Sequence, residues 1–219
     1  CDTETPLSAY AKLADQKPAF LFESVVGGEQ VSRFSFVGFG PRKVISCGQQ
    51  DSKIIEQGKE TITRKTPLDP LSLIEKEMSG LRYRSQLKDG RFSGGAVGFL
   101  SYEYANRVES TVPLPDNDEL GIPLIYFMIT DIVLIFDHAR QTLTLTANVA
   151  PGENPAQAYA DACARILQTH KTLSKPSSLP PVPLSEVGKV FQPEGNFSKE
   201  EFESLVEKVK EYVRAGDVI

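Results

Sequence analysis

Residues 124–149 hold three β-rich runs, 124–130, 132–136 and 143–149, with only Asp131 between the first two and the turn Asp137-His138-Ala139-Arg140 before the third. β-Branched and aromatic side chains dominate all three, which suits a pleated surface that is at least half buried. These runs carry the clearest strand signals in the chain. Upstream the same pattern recurs at 43–47, 53–56 and 60–63, three short runs joined at 48–51 and at Gln57-Gly58, which read as an antiparallel meander. Residues 92–100, Phe-Ser-Gly-Gly-Ala-Val-Gly-Phe-Leu, read as a central strand whose glycines admit a close neighbour, with Tyr102, Glu103 and Tyr104 at a strand-to-helix edge.

Helices punctuate these runs. Thr5-Pro6 caps a first helix with Leu7, Tyr10, Ala11 and Ala14 at helical spacing. Asp69-Pro70 opens a second, with Leu71, Ile74 and Met78 as its buried stripe and Ser79-Gly80 as its end. Asn154-Pro155 caps a third, whose apolar face is Tyr159, Ala162, Cys163 and Ile166. From 174 to 192 the composition turns to Pro and Ser, as in a linker. Ser198-Lys199-Glu200-Glu201 is then a capping box, followed by the wide stripe Phe202, Leu205, Val206, Val209, Tyr212 and Val213, and Ala215-Gly216 stops that helix. The predicted organisation is a first domain over 1–173 of strand runs and flanking helices, a linker at 174–195, and the start of a second domain over 196–219. The chain opens on Cys1 rather than Met and closes on Ile219 within an apolar pattern, so a piece of a longer chain is expected.

Polar chemistry is concentrated in residues 20–38, a hairpin interrupted by Glu23-Ser24. Its second half sets Phe34 and Phe36 on one face and Arg33 and Ser35 on the other, and Gly27-Gly28 supplies the connection. A small ligand fits such a place. Other chemistries are poorly served. The net charge of −5 and the lack of a basic stripe argue against nucleic acid. Glycines 94, 95 and 98 make neither G-x-G-x-x-G nor a P-loop, and the acids Asp116, Asp118 and Glu119 in the loop 113–123 lack an EF-hand register. His138 and His170 have no partner at ligand spacing, so no protein-ligated metal is expected. Cys1, Cys47 and Cys163 lack C-x-x-C spacing and are expected as reduced thiols in a cytoplasmic protein. The longest apolar run, 122–136, is broken by Pro123 and Thr130-Asp131 and is too short for a bilayer; no signal peptide opens the chain.

Taken together, these segments resemble the large, chorismate-using subunit of anthranilate synthase. The resemblance rests on Leu7-Ser8-Ala9-Tyr10, on the Phe-Glu-Ser and Ser-Arg-Phe-Ser-Phe-Val-Gly halves of the hairpin, and on Gly94-Gly95-Ala96-Val97-Gly98-Phe99 with Tyr102-Glu103. Asp131, Phe136-Asp137-His138 and the closing stretch 202–219 add to it. It implies an α+β fold, with antiparallel, sandwich-like sheets and flanking helices in the first domain and then the first helix of a truncated α+β chorismate-binding domain. It implies too that the parent enzyme converts chorismate and ammonia to anthranilate and pyruvate, with ammonia delivered from glutamine by a separate amidotransferase subunit (component II) in a hetero-oligomer. In the family, Mg2+, the chorismate pocket and the acid-base residues belong to the later domain, so this stretch alone is expected to be inactive, with no catalytic, cofactor or metal residue of its own. The amino-terminal region is implied to sense tryptophan. Glu23 offers an acceptor for the effector's ammonium, Ser24 can donate or accept, and Arg33 can face a carboxylate or hold Glu23 in place. Glu23 and Ser24 match the family's Glu-Ser effector motif, and Arg33 falls where the family carries a basic residue. Two alternatives stay open: the large subunit of aminodeoxychorismate synthase, on the folate pathway, and a non-enzymatic amino-acid-binding module.

Overall fold

The computed structural model describes residues 4–23, 33–79, 81, 83–84, 91–115, 117–149, 154–176, 179 and 195–219. The chain divides into two compact units, Cys1–Leu179 and Pro180–Ile219.

The first unit is a sandwich of two antiparallel sheets. One sheet has the order β1-β2-β8-β9, formed by Ala19–Phe22, Phe34–Phe39, Ile132–Asp137 and Thr142–Ala147. The other has the order β5-β4-β3-β7-β6, formed by Lys59–Thr63, Ser52–Glu56, Lys43–Cys47, Ile125–Thr130 and Gly95–Leu100. The two central runs of the sequence, β7 and β8, do not pair with each other. The chain leaves one sheet at Thr130, opposite Gly95, and enters the other at Ile132, opposite Ala147, so the single residue Asp131 is a corner between sheets.

Strand alternation sorts the apolar residues into three layers. In β2 and β8, Val37, Phe39, Ile132, Leu134 and Phe136 turn outward from the sandwich to meet Ala9 and Leu13 of α1 (Pro6–Leu13), while Phe20, Phe36, Val44, Val97 and Met128 meet between the sheets. On the far side Ile45, Cys47 and Ile125 pack against Ile74 of α2 (Leu71–Met78). With cover on both faces, β8 is buried at all six positions, and its sequence accordingly reads as an unbroken apolar run until Asp137. α4 (Pro155–Leu173) lies beside α1 on the outer face of the first sheet, and Lys12 joins them by donating to the Leu173 carbonyl at 2.8 Å.

Several details depart from the sequence reading. β6 is an edge strand, not a central one. Its glycines still serve close approach: a Cβ on Gly98 would lie 1.9 Å from the Tyr126 carbonyl oxygen, and Gly94 and Gly95 take φ of +142° and +122°. In α1 the buried face is Ala9 and Leu13 rather than Leu7, which is exposed. In α4 it is Ala162 and Thr169, with Tyr159 outside it. Spacing located both helices; in α1 it put the face one residue off, whereas in α4 the expected Ala162 is buried, Cys163 and Ile166 are half-buried beside it, and only Tyr159 falls outside. After β6 a single 3-10 turn, Tyr102–Tyr104, leads into the short α3 (Ala105–Val108).

The second unit contains α5 (Lys199–Ala215), with Ser198 and Glu201 in a reciprocal capping box and Gly216 in the left-handed conformation at its end. Its apolar stripe has no second helix or strand to pack on among the described residues of that unit.

Candidate functional site

The predicted hairpin is β1 and β2, paired from Ala19 opposite Phe39 to Phe22 opposite Phe36. Gly27, Gly28 and Ser24 lie outside the described residues. Phe22 ends β1 and Glu23, exposed, follows it directly. Phe36 and Phe22 line one side of an apolar cleft of about 300 Å3, whose other side is Phe92, Ala96, Val97 and Gly98 at the start of β6, with Phe127 of β7. Phe92 stands nearly perpendicular to Phe36, with centroids 5.7 Å apart, and edge-on to Phe20 at 6.4 Å. Edge-to-face contacts of this kind fix ring orientation as well as burying area. A cleft of this size is at the small end of ligand pockets and suits one aromatic side chain. Glu23 is therefore the first polar group after an aromatic wall.

Arg33 has a different immediate environment. Its Nε and Nη2 donate to the two carboxylate oxygens of Asp137 at 3.0 and 2.8 Å, a bidentate pair across the ends of β2 and β8. Asp137 is buried, and the Arg33 guanidinium, helped by the Arg140 backbone N–H at 3.1 Å, holds its carboxyl down to about 2 against the opposing effect of burial. The register around this pair is locked by the His138 N–H, which donates to the Arg33 carbonyl at 2.8 Å, and by a 2.7 Å hydrogen bond between His138 Nε2 and the buried Ser35 hydroxyl. Arg91 approaches from the stretch leading into β6. Its guanidinium lies 3.9 Å from Asp137 and, like that of Arg33, over the ring of Phe34, with centroid distances of 5.2 and 4.9 Å.

Sequence reasoning singled out Glu23 and Arg33 but gave no role to Asp137, Phe92 or Phe127. A buried aspartate ending an otherwise apolar strand is itself a signal, because burial of a carboxylate demands a cationic partner. The only basic residue of the hairpin was the natural candidate. Phe92 and Phe127 carry no such mark; only the packing of the two sheets brings them to Phe22.

Elsewhere, Arg42 bridges Asp131 at 3.3 Å and Glu77 of α2 at 2.6 Å, and Lys43 reaches Glu77 at 2.6 Å, so the corner between sheets is pinned to α2 by charge. Among the described residues no group of three or more His, Cys, Asp or Glu is placed to hold a metal ion, and no helix is long and apolar enough to cross a membrane.

The family described as chorismate binding enzyme matches residues 17–219 of the chain. Anthranilate synthase component 1 of Acinetobacter calcoaceticus is 34% identical over 228 residues, taking in 100% of this chain and 43% of that protein. The Pseudomonas putida protein of the same name is 35% identical over 222 residues, with 99% and 44% covered. The chain thus spans less than half the length of these curated relatives. Among solved structures, anthranilate synthase component I from Streptococcus pneumoniae TIGR4 superimposes with a TM-score of 0.55 at 21% identity, over 99% of this chain and 45% of that one, a likeness of fold.

Proposed function

We propose that this chain, which belongs to the family of chorismate-binding enzymes, is the amino-terminal, tryptophan-sensing part of an anthranilate synthase component I. The whole protein then converts chorismate and ammonia to anthranilate and pyruvate, and receives its ammonia from glutamine through an amidotransferase subunit. The chemistry and its Mg2+ are assigned to the part of that protein outside these residues, and no catalytic step is assigned here.

The observation that carries the sensing role is the junction of Phe22 and Glu23, where an aromatic cleft of about 300 Å3 gives way at once to an exposed carboxylate. An indole needs an apolar slot, and the ammonium of a free amino acid needs an anionic acceptor. Glu23 is assigned to the ammonium and Ser24 to a hydrogen bond with the effector's backbone groups. Arg33 is assigned to holding the β2 end of the hairpin, because Asp137 engages two of its nitrogens. Inhibition follows if tryptophan binds the inactive arrangement of the whole protein better than the active one, since equal affinity for both shifts nothing.

The test is steady-state anthranilate formation by the whole protein from chorismate and ammonia, with tryptophan titrated in. Glu23→Ala and Ser24→Ala are expected to raise the half-inhibiting tryptophan concentration at least tenfold, about 1.4 kcal/mol of lost contact, with uninhibited turnover retained. Unaltered inhibition in both variants would refute the assignment.

A further inference from the structure

The stretch 91–94 carries the chain across the open side of the sandwich, and it is tied to the first sheet on both sides of Phe92. Ahead of Phe92, the Arg91 guanidinium lies 3.9 Å from the buried Asp137 carboxylate at the end of β8 and 5.2 Å from the ring centroid of Phe34 in β2. Behind it, the Ser93 carbonyl accepts from Asn148 Nδ2 at 2.9 Å and from the Thr146 hydroxyl of β9 at 3.4 Å, and the buried Ser93 hydroxyl is paired with that of Tyr83. Asn148 is itself fixed, because its N–H donates to the Asp131 carbonyl at 2.7 Å. Gly94 lies so close to the corner that a Cβ there would come within 2.8 Å of the Thr130 carbonyl oxygen. From Gly95 onward the chain pairs with β7 in the second sheet.

The side chain held between these ties is a wall of the aromatic cleft. Phe92 is half-buried, packs on the cluster that includes Phe20, Val97 and Met128, and presents itself nearly perpendicular to Phe36. Among the described lining residues, Phe22 and Phe36 sit on the paired strands β1 and β2, and Ala96, Val97, Gly98 and Phe127 on the paired strands β6 and β7. Phe92 lies outside every strand. A ladder of backbone hydrogen bonds sets the place of the other walls, whereas the place of Phe92 is set by Arg91 on one side and Ser93 on the other.

We propose that Phe92 is the specificity-determining wall of this cleft, and that Arg91 and Asn148 are its positioning residues, so that together they set the largest aromatic side chain the cleft accepts. The inference rests on the function proposed above, in which the cleft takes an indole. A cleft of about 300 Å3 is at the small end of ligand pockets, and its aromatic walls favour a flat ring placed edge to face against them. Moving one wall by the width of a methyl group therefore changes which ring fits. In an apolar pocket such a change is worth roughly tenfold or more in discrimination.

The experiment is calorimetric titration of the whole protein with tryptophan and with tryptophans methylated at each carbon of the benzo ring. The quantity read is the affinity for each methylated form relative to tryptophan. Phe92→Ala is expected to raise that ratio roughly tenfold for at least one methyl position. Phe92→Leu, which keeps more of the packing against Phe20 and Val97, is expected to shift it in the same direction by less. Arg91→Ala and Asn148→Asp, the second of which cannot donate to the Ser93 carbonyl, are expected to move the ratio too. Arg91→Lys keeps a cation beside Asp137 and Phe34 and is expected to restore it. A ratio unchanged in both Phe92 variants, with tryptophan still bound, overturns the inference and leaves the functional reading standing. An equal loss for every ligand overturns it as well, by showing that Phe92 only fills the core. A ratio that responds to Phe92 but not to Arg91→Ala or Asn148→Asp overturns the positioning roles. A whole protein that does not bind tryptophan removes the functional reading, and this inference with it.

Discussion

Replacing Asp137 with Asn tests whether the end of the β1–β2 hairpin is held by charge. The Asp137 side chain is 1% exposed, and Arg33 lies against both of its oxygens. Its carboxyl sits at about 2 in the folded protein against an ordinary value of 3.8. A depressed carboxylate contributes stability that is fully present above the unfolded-state value and is lost as pH falls through the folded one. A difference of nearly two units corresponds to about 2.5 kcal/mol at neutral pH. The Arg33 side chain is 33% exposed, so water shares in the pair, and about 1–2 kcal/mol is the expected loss. Asn keeps the shape and can still accept from the Arg140 N–H, so packing is little altered. Urea denaturation of both proteins at pH 7, 5 and 3 reads the effect. The gap in unfolding free energy should be full at pH 7, nearly full at pH 5, and roughly halved at pH 3. A gap that is the same at pH 7 and pH 3 would show that the substitution acts through shape, and no gap at pH 7 would refute the ion pair as a support of the fold.

Gly98→Ala is expected to destabilise by about 2–4 kcal/mol, because the new Cβ meets backbone on β7 rather than a side chain that can swing away; a thermal melt unchanged within error would contradict that geometry. Cys47 is buried, and burial pushes its thiol up, so iodoacetamide should label Cys163 in the folded protein and reach Cys47 only after denaturation; equal labelling rates would show that the α2 face of the sheet opens.

Local chemistry made much of this fold legible. The capping box at Ser198, the glycine at 216, the meander over β3 to β5 and the run through β8 are each fixed by neighbours within a few residues, and each falls where spacing put it. What could not be read is what depends on residues far apart. Gly98 looked like part of a central strand because its need for close approach is local, whereas the edge position of β6 depends on which strand pairs beyond it. Asp131 read as a break between two runs, and only tertiary structure makes it a corner between sheets. The same division runs through the candidate site. Glu23 and Arg33 stood out as charges in an apolar hairpin, but the partner of Arg33 is 104 residues away, and the aromatic wall beside Glu23 is completed by Phe92 and Phe127 from the opposite sheet.

The central claim is that the hairpin of β1 and β2 binds tryptophan through Glu23 and Ser24. The chain has no tryptophan of its own, and calorimetric titration of the whole protein with the free amino acid measures the claim without relying on turnover. Saturable binding to the unmodified protein is predicted, with at least a tenfold rise in Kd for Glu23→Ala and again for Ser24→Ala. A Kd that stays the same in both variants would contradict it.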